Sequence, residues 1–462
     1  MRILLIVYDN ESYVHWFPQN IAYIASSIRN AGYEVVIYNQ DIHHYTEDHL
    51  TNYLDNNKFD LIGVGVTAGY YQYNKIIKIS EAINRSKNRP FYILGGHGPA
   101  PEPEFYIKKT EANAIVIGEG EITIVNLIKA LENKTSLSQV KGIAYKKGSD
   151  VILNERQPLI KDIDSIPIPA YDLFPIMYYR LVRFAHTTPK DFVMPMLSGR
   201  GCRFNCSFCY RMDEGFRARN NDNIIEEVTL LQKDYGINYI YFNDELLMDS
   251  EKRVISLCES FIKAKMKFKW ACMGRLNFAK PPVLKLMKAA GCVFINYGIE
   301  AMDNTVLKKM NKALTTNIIK KGIEATLKSG ISPGYNIIFG NLGDNKESLQ
   351  KGVDFLLEYD DGAQLRTIRP VTPYPGCPLY EHAIKTGLLS GIDDFYSNKH
   401  LNSDLLTVNF TELNDNDFYK ELMEANLKLV SNYYDNKKKL ALNQVIDLYE
   451  NRNENFRGFR QT

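Results

Sequence analysis

The regular alternation of short apolar runs with helix-like stretches constrains this chain more than any other feature. In the first 135 residues, apolar runs occur at Arg2–Val7, Glu34–Tyr38, Asp60–Val66, Phe91–Leu94 and Ala114–Ile117. Helical patterns separate them, near Gln19–Ala31, Asp48–Asn56, Tyr73–Arg85, Glu102–Lys109 and Glu121–Glu132. Continuous runs rich in Val and Ile fit strands buried on both faces of a parallel sheet. Five βα units in succession (residues 1–135) predict a doubly wound α/β domain of flavodoxin-like strand order. Such sheets take ligands in the loops beyond the carboxyl ends of their strands.

The alternation lapses over residues 136–190. Gly142–Lys147 and Val151–Asn154 flank Gly148-Ser149-Asp150, a hairpin signal. Ile166-Pro167-Ile168-Pro169 cannot lie inside a helix and reads as an extended linker, either a free tether or a packed connector. From residue 191 the alternation resumes, with strands expected at Val193–Leu197, Tyr239–Phe242, Lys267–Met273, Val293–Ile299, Gly334–Phe339 and Leu365–Arg369. Six βα units over residues 191–385 predict a partial barrel whose function sits at the C-terminal strand ends. Residues 386–462 are polar and helical in pattern, placed either over the barrel mouth or against a carrier protein.

Composition narrows the function classes. A net charge of +2 argues against a strongly basic nucleic-acid binder. The longest apolar runs, such as Ile3 to Val7, fall far short of the ~18 residues of a membrane span. The N-terminus reads as a strand and not as a signal peptide. Seven cysteines, an odd number, argue against a disulfide framework and for thiols kept reduced in a cytoplasm.

Three of those cysteines cluster as Cys202-x3-Cys206-x2-Cys209, directly after a predicted strand. Three thiolates on one loop can hold three irons of a [4Fe–4S] cluster, leaving the fourth open to a substrate or cofactor. A zinc site would be expected to show a second Cys or Cys/His pair. Cys258, Cys272 and Cys292 are dispersed and read as buried small hydrophobes.

At these residues the chain resembles the radical SAM superfamily, whose motif places an aromatic before the last cysteine, here Phe208. The resemblance implies a (β/α)6 barrel and S-adenosylmethionine bound to the open iron, cleaved by one electron to a 5′-deoxyadenosyl radical. It also implies an electron donor such as flavodoxin or ferredoxin. Other strand ends then gain roles. Glu245, preferred over Asp244, would face the methionine ammonium, and Arg275 its carboxylate. Glu300, in Gly298-Ile299-Glu300, would accept ribose hydroxyls, and Asn336 would meet the adenosine.

The first domain could hold a nucleotide, a flavin, a phosphorylated Asp or cobalamin. No GxGxxG follows its first strand, which argues against a dinucleotide. Glycines stand instead in Gly95-Gly96-His97-Gly98 and Gly118-Glu119-Gly120-Glu121, where they let the backbone approach a flat ligand closely. Thr67 can donate from its hydroxyl. With Pro18 and Gln19 opening the first helix, these segments resemble the cobalamin-binding domain ahead of many radical SAM barrels. The resemblance implies cobalamin contacts from Pro18, Gln19, Thr67, Gly95, Gly96, His97, Gly120 and Glu121. No Asp-x-His-x-x-Gly follows the first strand, and His15 and His43 stand outside such a pattern, so cobalt is expected with no histidine beneath it. Cys377 stands where the family usually has Thr; it is either a packing substitution or a thiol able to give up a hydrogen atom.

The resemblance covers roughly residues 1 to 385 and implies methylation of an unactivated carbon or a phosphinate phosphorus, in a small molecule or peptide. The alternatives are a radical ring closure or rearrangement, as in anaerobic porphyrin-ester cyclases of this architecture; a cobalamin or redox sensor; and a first domain that is only a cobalamin-free scaffold. No partner among nucleic acids or membranes is expected.

Overall fold

A computed structural model describes residues 1–456. Strands β1 (Arg2–Val7), β2 (Glu34–Asn39), β3 (Leu61–Gly65), β4 (Phe91–Gly95) and β5 (Ala114–Val116) form a parallel sheet in the order 2-1-3-4-5, the flavodoxin-like order. The period-2 geometry of a strand explains its two-sided burial. Ile3, Leu5 and Val7 of β1 face helices Gln19–Asn30 and Gly120–Glu132, while Leu4 and Ile6 face helices Glu47–Asn56 and Tyr70–Arg85. The expected hairpin, β6 (Ile143–Lys147) and β7 (Asp150–Leu153), extends this same sheet antiparallel to β5.

The proline-rich stretch is a packed connector. Ala170, Tyr171, Phe174, Ile176 and Tyr179 are buried in a core that runs without a break from the first sheet into the second. Phe17 stacks on Tyr171 at 5.2 Å and meets Phe174 and Tyr179 edge-on. The Tyr171 hydroxyl donates to Glu227 at 2.6 Å, and Glu227 also receives Arg219.

The second sheet runs β8 (Val193–Met196), β11 (Tyr239–Phe242), β12 (Lys269–Gly274), β13 (Cys292–Glu300), β14 (Ser332–Phe339) and β15 (Arg369–Pro370), every pair parallel. Its convex face carries Ile240, Phe242, Trp270, Cys272, Ile295 and Tyr297 into the layer under the helices. Alternation therefore turns Tyr239, Tyr241, Ala271, Met273, Phe294 and Asn296 to the concave side. Cys258, Cys272 and Cys292 are fully buried in that convex layer.

One element was not anticipated: an antiparallel pair, β9 (Gly199–Cys202) and β10 (Gly215–Ala218), directly after β8. After the barrel, Tyr396 stacks on Tyr73 of the first domain at 4.4 Å and Lys109 pairs with Asp393 at 2.8 Å. Helix Asp415–Glu450 buries Phe418, Leu422, Ala425 and Leu429. Its Asn426 amide accepts from the Ile368 N–H at 2.8 Å and donates to the Ile368 carbonyl at 2.9 Å, just ahead of the sheet's last strand. Among the described residues no helix is long and apolar enough to cross a membrane.

Candidate active site

The cysteine segment begins at the end of β9, where Cys202 lies opposite Gly215. Gly201 has a φ of +84°, and a side chain there would strike the Gly215 carbonyl, so this turn demands glycine. The loop beyond is held by backbone: Ser207 N–H donates to the Met310 carbonyl and Leu379 N–H to the Ser207 carbonyl, both at 2.9 Å. The Asn311 amide donates to the Asn205 carbonyl at 2.8 Å. All seven cysteines are free thiols; within the loop Cys206 is buried, Cys202 half-buried and Cys209 exposed.

Although the Cys209 residue is open to solvent along part of its surface, its sulfur is hemmed in by protein atoms; that burial, reinforced by Cys206 and Cys202 close by, pushes the thiol up to about 12. Thiols whose ionisation is disfavoured by burial and by neighbouring thiols, as at Cys202 and Cys209, fit a centre that brings its own positive charge. Among the described residues no three His, Cys, Asp or Glu side chains converge on a single-ion point. The thiol-only donor set on an open loop fits the broader iron–sulfur cluster better than a lone zinc.

The other strand ends sort the expected cofactor residues. Asp244 is buried and accepts from Ser198 N–H at 2.7 Å, Gly199 N–H at 3.3 Å and the Ser198 hydroxyl, so it fixes the turn into β9. Glu245 is exposed, and its carboxyl meets the Gly201 N–H and, among the described residues, no side-chain hydrogen-bond partner. Burial raises the Asp244 carboxyl from 3.8 to about 6. A carboxyl whose folded value is raised binds its proton more tightly in the native state, so stability falls as pH rises from about 4 to about 6 and is level above. Asp244→Asn is expected to flatten that slope in thermal unfolding followed across pH; an unchanged slope would assign it to another group.

Arg275 is buried, its guanidinium 3.5 Å from the Phe204 ring centre, donating to Asn277 at 3.0 Å and to the Lys312 carbonyl. Burial lowers its pKa, against the pull of Cys206, Cys202 and Glu300. It lies beside the cysteines, with Nε and Nη2 engaged and Cys206 within hydrogen-bond reach of the guanidinium. Glu300 adopts a φ of +69° beside a register shift in β13, a conformation rare for a residue other than glycine. Its carboxylate accepts from Lys312 at 2.8 Å, with both side chains nearly buried, and the Lys312 ammonium lies 5.5 Å from the Phe208 ring centre. A side chain on Gly298 would strike the Glu300 carboxylate, so this glycine makes the cradle. Asn336, level with Gly298, is exposed on the concave side. Lys312 escaped sequence reading, because nothing local to it signals a partner on another strand.

On the first domain, Thr67 and His97 are exposed beyond β3 and β4. Gly96 has a φ of +99°, and a Cβ there would sit 2.5 Å from the Val66 carbonyl oxygen. This close-set, side-chain-free rim fits a flat corrin edge. Among the described residues the Gln19 amide nitrogen, buried at the start of its helix beside Pro18, has no hydrogen-bond partner and fits the amide side chains of a corrin. Two expected cobalamin residues, Glu121 and Gly120, also have partners within the protein. Glu121 pairs with Arg200 of β9 at 2.6 Å, while Glu119 pairs with Arg200 at 2.9 Å and Arg217 of β10 at 2.8 Å. Gly120 allows close helix packing, since a Cβ there would meet Ile24 at 2.7 Å.

The two halves meet at Tyr210, directly after the last cluster cysteine. His97 lies edge-on to its ring at 6.0 Å, and a Cβ on Gly376 would be 2.6 Å from that ring and 2.9 Å from Pro101. Cys377, next in the chain, is fully buried and caps helix Pro378–Lys385, its sulfur accepting from Tyr380 N–H at 3.3 Å. Of the two alternatives this favours the packing substitution, since a Thr hydroxyl would make the same cap. Cys377→Thr should leave stability within ~0.5 kcal/mol, whereas Cys377→Val should cost about 1 kcal/mol by denaturant titration. A large loss of turnover in Cys377→Thr would restore the thiol's chemical role.

A thiolate loop and a glycine rim on one shared face define a two-domain cofactor enzyme. Residues 196–356 match the Radical SAM superfamily and residues 6–128 the B12 binding domain. The chain is 29% identical to an uncharacterized methyltransferase of Pyrococcus horikoshii over 88% of its own length and 90% of the relative's. It is 27% identical to the anaerobic magnesium-protoporphyrin IX monomethyl ester cyclase of Cereibacter sphaeroides, over 79% of this chain but only 60% of that one. In fold it is similar to the radical S-adenosylmethionine methyltransferase TsrM of Kitasatospora setae, solved with cobalamin and a [4Fe–4S] cluster (TM-score 0.71, 16% identity, 83% of this chain and 78% of that one). The chain thus carries a B12 binding domain followed by a radical SAM domain, the first implying cobalamin and the second a [4Fe–4S] cluster and S-adenosylmethionine.

Proposed function

We propose that the chain is a methyltransferase acting on an unactivated carbon, or a phosphinate phosphorus, of a small molecule or peptide. When bound, the cluster supplies the electron that cleaves S-adenosylmethionine and cobalamin carries the methyl group. The observation that carries this reading is the junction at Tyr210, where the cluster loop touches the His97 rim. In it Cys202, Cys206 and Cys209 hold the cluster. Glu245 and Arg275 grip the methionine end, while Glu300, steadied by Lys312, accepts the ribose hydroxyls, with Phe208 and Asn336 alongside. Pro18, Gln19, Thr67, Gly95, Gly96 and His97 line the corrin edge. Seven free thiols support a reducing, cytoplasmic setting with a flavodoxin- or ferredoxin-type donor.

The Cereibacter relative supports a second reading, ring closure without methyl transfer. Products decide between them. S-adenosylhomocysteine and 5′-deoxyadenosine formed together support methylation, and 5′-deoxyadenosine alone supports ring closure. Cobalt without a histidine beneath it is tested by electron paramagnetic resonance of the cob(II)alamin form. Nitrogen splitting that vanishes in His15→Ala would overturn it.

A further inference from the structure

We propose that Trp16, Phe184 and Tyr241 form a platform on the concave face of the second sheet that takes a neutral, planar ring of the substrate. The inference rests on reading the strand ends above it as the cofactor face. Trp16 lies 5.5 Å from both Phe184 and Tyr241, and Phe184 lies 4.5 Å from Tyr241. Beneath them Ala185, Val193, Tyr239, Ala271 and Phe294 are fully packed, and the Tyr239 hydroxyl pins the connector by donating to the Ala185 carbonyl at 2.8 Å. The three upper rings are only half-buried. A ring at the top of a filled layer, with area still open, is where a ligand stacks.

The chemistry above the platform is polar but uncharged. The Tyr241 hydroxyl and the Asn296 amide both donate to the Met273 sulfur at 3.5 Å. Asn336 is exposed one strand over, and among the described residues the Trp16 indole N–H has no acceptor. Between Ala271 and Gly298 the concave positions of β12 and β13 are Met273, Phe294 and Asn296, none of them ionisable. On these two strands a charged fragment would find no countercharge, with His186 lying instead against the far side of the layer at 6.1 Å from Phe294, whereas a neutral ring gains stacking and one contact to the Trp16 N–H. Trp16 belongs to the first domain, two residues before Pro18, so the platform exists only when both domains are docked.

The alternative is a plug that merely closes the barrel floor. Binding of indole to the full-length chain, measured by equilibrium dialysis and saturation-transfer NMR, separates the two. Saturable indole binding is expected, with cyclohexanol and benzoate at least roughly tenfold weaker. Trp16→Ala and Phe184→Ala should each weaken indole roughly tenfold, while Trp16→Phe keeps most of the affinity. Should the alanine variants unfold, Trp16→Phe and Tyr241→Leu carry the comparison, with loss expected in the second only. No saturable binding, or binding unchanged by these exchanges, would overturn the platform. Indole binding needs no cleavage of S-adenosylmethionine, so it can fail while the proposed reaction stands, and the reverse.

Discussion

Exchange of Cys202, Cys206 and Cys209 for Ala, singly, should each abolish the iron–sulfur absorbance of the anaerobically reconstituted chain. Each thiol is one of three ligands, and the described neighbourhood gathers no substitute set. Thiolates ligate iron, so losing one leaves two bonds and an additional open iron. The exchanges should spare the fold, because the loop is anchored by Ser207, Asn205 and Leu379 backbone contacts and not by the thiols. Near-wild-type thermal unfolding with iron content reduced to background is the expected pair of results. An iron content unchanged in any of the three variants would remove that cysteine from the ligand set.

The second large effect is on stability. Glu227 is fully buried, takes the Tyr171 hydroxyl at 2.6 Å and the Arg219 guanidinium, and so ties the connector to the barrel. Arg219 also donates to the Leu197 carbonyl at 2.9 Å and is itself nearly buried. Removing the carboxylate strands a cation and a phenol hydroxyl in the core. Breaking one side of a buried pair costs about 3–5 kcal/mol. Glu227→Ala should therefore lower stability by about that amount, and Glu227→Gln by less because its amide oxygen still accepts one bond. Denaturant titration checks this; a loss below ~1 kcal/mol would mean that water or Asp164, 3.7 Å from Arg219, takes over the charge.

Legibility followed how local each signal is. Ten of the eleven main strands stood out because each is an apolar run between helical patterns; the last, expected at Leu365–Arg369, pairs only over Arg369–Pro370. The cluster ligands stood out because all three lie within eight residues of chain. The β9–β10 pair did not, since Gly199–Cys202 and Gly215–Ala218 are short, glycine-rich and without periodicity. The acidic residues of Gly118-Glu119-Gly120-Glu121 pointed to a ligand, but their partners, Arg200 and Arg217, lie some eighty or more residues away and turn them into a clamp between domains. Lys312, Trp16 and Phe184 were silent for the same reason: their partners come from other strands or from the other domain. The proline-rich stretch permitted either a tether or a connector, and only the aromatic residues flanking it, Phe17 against Tyr171, Phe174 and Tyr179, decide for the connector.

That clamp also bears on function. Arg200 sits two residues before Cys202, and both of its carboxylate partners open the helix Gly120–Glu132 of the first domain. The cobalamin rim and the cluster loop are thus held in register by two guanidiniums, Arg200 and Arg217, which makes their shared face a property of the docked pair of domains.

The most direct measurement of the central claim is product formation by the full-length chain, reconstituted anaerobically with iron, sulfide and cobalamin and given S-adenosylmethionine with a low-potential reductant. The account predicts 5′-deoxyadenosine and S-adenosylhomocysteine together from the wild-type chain, and no 5′-deoxyadenosine from Cys209→Ala. Intact S-adenosylmethionine after incubation of a cluster-loaded wild-type chain, or cleavage that persists without the cysteines, would contradict it.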